Sequence, residues 1–162
     1  MTTPRTVIYE YPSNADAVAA LLRDPAFLRS RCEAAGENNV EVTIEETKQG
    51  LRVVVSRDKD VALPAFAKRM FQSANRIVDD TMWTQRNGRW VADYAIDIQG
   101  IPGEVRGHSE LVPSATGCRY ESSFEVTARV PLLGAKIESF VADRVEESLR
   151  ANAKRNADQL GS

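Results

Sequence analysis

Histidine is almost missing from these 162 residues: His108 is the only one, so any mechanism that needs an imidazole must run through that position. Its strand neighbours turn it away from the interior. Glu104, Arg106, His108 and Glu110 alternate with Val105, Gly107, Ser109 and Leu111, which sets His108 on the wet face, and no GxSxG elbow accompanies it. Cysteine is scarce too: Cys32 and Cys118 form neither a CxxC pair nor a zinc spacing and read as buried thiols. There is no excess of positive charge. Lys and Arg total 21 against 23 for Asp and Glu, a net −2, so no basic field attracts nucleic-acid phosphates. Long apolar runs are lacking as well. The opening MTTPRTVIYEYP has no secretory core and no stretch is long enough to span a bilayer, so a cytoplasmic protein is expected. With no Ser/Gly-rich linker, repeat or low-complexity tract, residues 1–162 read as one domain. Gly100, Gly103 and Gly107 in GIPGEVRG match neither a P-loop nor a dinucleotide fingerprint and read as turn and close-packing glycines. Asp79 and Asp80 are adjacent on a strand and so face opposite ways, which is no metal site. No catalytic residue, metal or cofactor is therefore assigned.

What the sequence does contain is one long helical period, from 131 to 160. At about 100° per residue, Leu133, Ile137, Phe140, Val141, Val145 and Leu149 gather on one side, with Lys136, Ser139, Asp143, Glu146, Glu147, Arg150 and Lys154 on the other. Pro131 suits the start and Gly161 the end. Arg144, Ser148 and Asn152 fall inside the apolar arc, so the surface under this helix is expected to be partly hollow and polar.

Ahead of that helix, residues 6–11 alternate as a strand, and Ser13 or Asn14 caps a helix carrying Ala17, Val18, Leu21 and Leu22. Asp24-Pro25 starts a second short helix with Phe27, Leu28, Cys32 and Ala35 on its apolar edge and Gly36 as its stop. The period then switches to two. Val40, Val42 and Ile44 pair through a turn at Gln49-Gly50 with Leu51, Val53 and Val55. Residues 76–85, the turn Asn87-Gly88 and 90–98 make a second hairpin, and strands follow at 105–111 and around Tyr120 to Ala128. Seven antiparallel strands with one wet face need a cover for the other, and the terminal helix is the only element long enough. The expected fold class is α+β: a strongly bent sheet gripping the C-terminal helix, with two short helices after the first strand.

This order, with paired helices at 14–35 and the amphipathic helix at 131–160, resembles the START-like or helix-grip superfamily, which includes the birch-pollen allergen, polyketide cyclases and lipid-transfer domains. Nearly the whole chain takes part. Within the superfamily the chain is most similar to a bacterial, largely actinobacterial, group described as a domain of unknown function. The resemblance implies an apolar ligand held between sheet and helix, and in a minority of members cyclisation or dehydration carried out there.

Binding or transport of a small apolar or amphipathic molecule or lipid is the leading functional reading, because no acid–base pair is evident. A cyclase or dehydratase acting in the same cavity is the second, and a ligand-free partner-binding module the third. Trp83, Trp90, Tyr94, Tyr120, Phe124 and Phe140 are expected to enclose the ligand's apolar body, since small residues such as Ala92, Ser122 and Ala128 beside them leave volume unfilled. Ser148 and Asn152 add hydrogen bonds. Arg144 has two readings: an anchor for an acidic or carbonyl group of the ligand, or a structural residue, paired with an inward Asp79 or Asp80 or snorkelling at the helix edge. The apolar connector 61–71, with Leu63, Phe66, Met70 and Phe71 beside Lys68 and Arg69, also has two readings. It either packs on the sheet edge or forms a short helical portal that admits ligand, with transient contact at an anionic membrane surface. Nothing in the sequence sets an oligomeric state.

Overall fold

The computed structural model describes residues 4–68 and 74–161. The strands are β1 (Arg5–Tyr11), β2 (Asn38–Glu46), β3 (Leu51–Asp60), β4 (Ala74–Arg86), β5 (Arg89–Ile98), β6 (Glu104–Ser114) and β7 (Gly117–Thr127). They form one antiparallel sheet in the order β1-β7-β6-β5-β4-β3-β2. The helices are α1 (Ala15–Leu22), α2 (Pro25–Ala34), the four-residue α3 (Ala65–Lys68) and α4 (Gly134–Leu160). This is the helix-grip arrangement the alternation and the terminal helical period predict.

Local chemistry explains the joints. Asn14 caps α1 by accepting from the Ala17 N–H at 2.9 Å, and Asp24 caps α2 by accepting from Ala26 at 3.0 Å, with Pro25 in the first turn. Asn87 and Gly88 both take positive φ, 53° and 78°, which is what a two-residue hairpin turn demands. The start of α4 is a correction. The helix begins at Gly134 rather than Pro131, because Leu132 sits at φ 67° and breaks the helical path.

Alternation places Val53, Val55 and Arg57 of β3, Ile77 of β4, Ala92 of β5, Ser109 of β6 and Ser122 of β7 in the interior. His108 lies outward, bonded to Asp93 through Nδ1 at 2.7 Å on the solvated face. The apolar interior divides into two clusters. One gathers Phe124, Val105 and Ile98 under the N-terminal half of α4 with Ile137, Val141 and Val145. The other gathers Tyr11, Val18, Leu28, Trp83 and Leu111 around Ala153, near the C-terminal half. Between them the packing opens.

Candidate functional site

The opening consists of two adjoining lobes, of about 120 and about 420 Å³, which share Asp79, Ile96, Leu149 and Asn152 in their walls. The smaller lobe lies among Tyr11, Trp83, Tyr94, Tyr120, Asn156 and Arg31. The larger has an apolar floor that includes Ile77, Ile98, Ile101, Phe140 and Val145, the buried Arg57 in its wall, and a charged rim that includes Lys59, Arg144 and Glu147.

A hydrogen-bonded chain lines the sheet side. The Tyr94 hydroxyl meets Ser122 Oγ at 2.8 Å, Ser109 Oγ donates to Ser122 Oγ at 3.0 Å, and Ser109 meets the Tyr120 hydroxyl at 3.2 Å. Burial pushes the Tyr94 phenol well above its ordinary pKa, so it stays protonated as a hydrogen-bonding group. Tyr94 can lie flat on the sheet because its cross-strand partner is Gly107, and any Cβ there would collide with the phenol ring.

The charged interior is less symmetrical. Arg57, only 7% exposed, pairs through Nη1 with Asp79, while its Nε faces Glu37 Oε1 at 3.5 Å, longer than a normal hydrogen bond. Lys59 Nζ meets the other Glu37 oxygen at 3.5 Å. Burial opposes the charge on Arg57, but Asp79 and Glu37 outweigh it and raise its pKa. Arg31 shows the opposite balance. Its Nη1 donates to Asn156 Oδ1 at 3.2 Å, its Nε is enclosed with no partner, and among the described residues no carboxylate lies within ion-pair distance. Burial dominates there and lowers its pKa. Asn156 in turn donates from Nδ2 to the Tyr11 hydroxyl at 3.2 Å, so Arg31 is held from α4 and, through it, from β1.

Of the side chains expected around a ligand, Trp83, Tyr94 and Tyr120 border the smaller lobe, Phe140, Arg144 and Ser148 the larger, and Asn152 both. Two do not border either lobe. Trp90 lies at the start of β5, donating to Asp16 at 2.8 Å with Arg23 stacked 4.2 Å from its ring centre, so it fastens α1 to the sheet. Phe124 is wholly buried in the first apolar cluster. Arg144 lies at the helix edge, 42% exposed, bonded to Glu147 at 2.9 Å and 5.6 Å from the Phe140 ring centre. The internal pair belongs instead to Arg57 with Asp79, while Asp80 faces outward to Arg52 at 2.7 and 2.9 Å. In the connector, Leu63 is buried and Phe66 packs against the first cluster with Lys136 5.8 Å above its ring, while Val61 borders the larger lobe. Met70 and Phe71 lie outside the described residues.

Arg31, Arg57, Glu37 and Asn156 are the polar residues that pattern reading passes over. Arg57 is accessible to it as the next inward position after Val53 and Val55. Arg31 stands four residues after Phe27 and four before Ala35, on the apolar edge of α2. Glu37 follows the end of α2 and carries no such signal.

Among the described residues, no group of three His, Cys, Asp or Glu side chains could hold a metal, and no helix is long and apolar enough to cross a membrane. No curated protein sequence matches the chain. Solved structures do. The protein TTHA0849 from Thermus thermophilus is 15% identical with a TM-score of 0.64 and full coverage of both chains. Norcoclaurine synthase from Thalictrum flavum, in complex with dopamine and hydroxybenzaldehyde, is 12% identical over 95% of this chain and 86% of its own, with a TM-score of 0.58. Ara h 8.0201 is 11% identical over 98% and 99%, also with a TM-score of 0.58. These are START-like, birch-pollen-allergen-like folds. A family model described as "Protein of unknown function (DUF2505)" matches residues 6–158, and the chain is a member of that family, built on the helix-grip fold.

Proposed function

We propose that this protein binds or carries a hydrophobic or amphipathic small molecule or lipid between the concave face of the sheet and α4. The observation that carries this reading is the pair of adjoining lobes, which interrupts an otherwise close-packed interior and combines an apolar floor with hydrogen-bonding walls. Evolution of a fold towards stability alone would fill such a gap, since each unfilled methyl-sized volume costs about 1 kcal/mol. The related fold of Thalictrum norcoclaurine synthase, which holds dopamine and hydroxybenzaldehyde, supports a small organic occupant. Binding is favoured over catalysis because the inward carboxylates Asp79 and Glu37 are tied to Arg57, and the histidine lies on the outer face. Entry past the segment containing Val61 and α3 belongs to the same proposal, since Val61 and Ala62 form part of the larger lobe's wall.

The test is uptake of an environment-sensitive apolar dye, together with native mass spectrometry of freshly purified protein. Dye uptake should be saturable and should fall at least tenfold in Ser148→Trp, whose indole occupies the larger lobe, while the melting temperature changes little. Equal uptake by both proteins would place the dye elsewhere and overturn the reading.

A further inference from the structure

We infer that the occupant of this cavity carries a single carboxylate, and that Arg31 on α2, not Arg144 on α4, receives it in the smaller lobe. This rests on the binding reading above and adds the chemical class of the ligand.

The inference begins with charge balance. Arg57 and Lys59 are matched by Asp79 and Glu37, with Glu37 shared between the two cations. Arg31, the one cation in the described lining of the smaller lobe, stands beside this group with no carboxylate at ion-pair distance among the described residues. A partly buried guanidinium with no ion-pair partner is unfavourable unless something else neutralises it, and the smaller lobe lies against it. Asn156 engages only Nη1 and the enclosed Nε has no partner, so the guanidinium is incompletely satisfied. A planar carboxylate is the group whose geometry and charge suit that fork.

The surroundings narrow the class further. Asp79 borders the same lobe, so a dianionic phosphate would face a like charge within a small volume, whereas a monoanion matches the single cation in that lobe's described lining. Asn152 and the Tyr120 hydroxyl border the lobe as additional polar groups. The apolar remainder of the ligand then lies along Ile96 and Leu149 into the larger lobe, over Ile77 and Phe140. Arg144 is less suited to the task. Its head already meets Glu147, and the side chain is exposed to solvent, where a contact with a carboxylate is weak.

Pyrenebutyrate and pyrenebutanol share one apolar body and differ in carboxylate against hydroxyl. Titrated by pyrene fluorescence into the full chain, the acid should bind at least tenfold more tightly than the alcohol. Arg31→Gln, which keeps a donor for Asn156 but no charge, should abolish that preference while leaving the alcohol's affinity within about twofold. Arg31→Lys should restore part of the preference, and Arg144→Met should keep all of it. Equal affinity of the wild-type protein for acid and alcohol would overturn the inference while leaving the cavity reading intact, and this outcome needs no variant to fold. A preference that survives Arg31→Gln and disappears in Arg144→Met would overturn it in favour of the helix-edge arginine. Failure of both probes to bind would overturn the cavity reading itself, and the inference with it.

Discussion

Arg57 and Arg144 are both arginines beside one cavity, and their settings predict opposite mutational outcomes. Arg57 is enclosed and compensates two carboxylates, so Arg57→Met should lower stability by about 3–5 kcal/mol in urea unfolding by leaving Asp79 uncompensated and Glu37 with Lys59 alone. Arg144 forms an exposed pair with Glu147, and Arg144→Met should change the same measurement by less than about 1 kcal/mol. The sequence pattern singles out Arg144 because Leu133, Ile137 and Phe140 flank it in angle. The buried residues of α4 are instead Ile137, Val141, Ala142, Val145, Ala153 and Asn156, an arc centred near Val145, about 100° around the helix from Arg144. Alanines and an asparagine have little weight in a hydrophobic pattern, yet Ala142, Ala153 and Asn156 are buried on the inner side of the helix. The thiols are simpler. Burial pushes Cys32 up to about 11 and raises Cys118 as well, so at pH 8 both should react with a disulfide reagent at least a hundredfold more slowly than free cysteine until the protein is unfolded.

At the scale of elements, the strands and their turns were legible because alternation and Asn-Gly chemistry are local properties, and the sheet's register follows from them. The entry to α4 was not, because a left-handed leucine leaves no trace in composition. Leu132 is fully exposed at φ 67°, so Leu132→Gly removes strain without removing packing and should be neutral or stabilising by about 1 kcal/mol in thermal unfolding. Gly107→Ala should act the other way. Its methyl group would displace the Tyr94 ring from the sheet, so loss of the Tyr94–Ser122 hydrogen bond, read as a shift in tyrosine fluorescence, should accompany a stability loss of about 1–3 kcal/mol.

For the whole molecule, acid should unfold the protein through its outward ion pairs. Hydrogen bonds from Asn39 and Arg76 hold the Asp58 carboxyl below its ordinary range, and those from Arg52 do the same for Asp80. A depressed carboxylate stabilises the fold above its unfolded pKa, about 3.9, and loses that contribution as pH falls through the folded value. Circular dichroism against pH should therefore show Arg52→Ala unfolding at a higher pH than wild type. The partition of the interior has a different reach. Since α4 is gripped by one apolar cluster around Val141 and another around Ala153, the turn from Ser148 to Asn152 between them holds no fully buried residue. Amide protons there should exchange with deuterium through local opening, ahead of the flanking turns, although all belong to one continuous helix. An occupant of the gap would touch that middle turn and bridge the two clusters, so its arrival would appear as slowed exchange in the centre of α4. The same event would make the two ends of the helix open together rather than independently, turning two cooperative units into one.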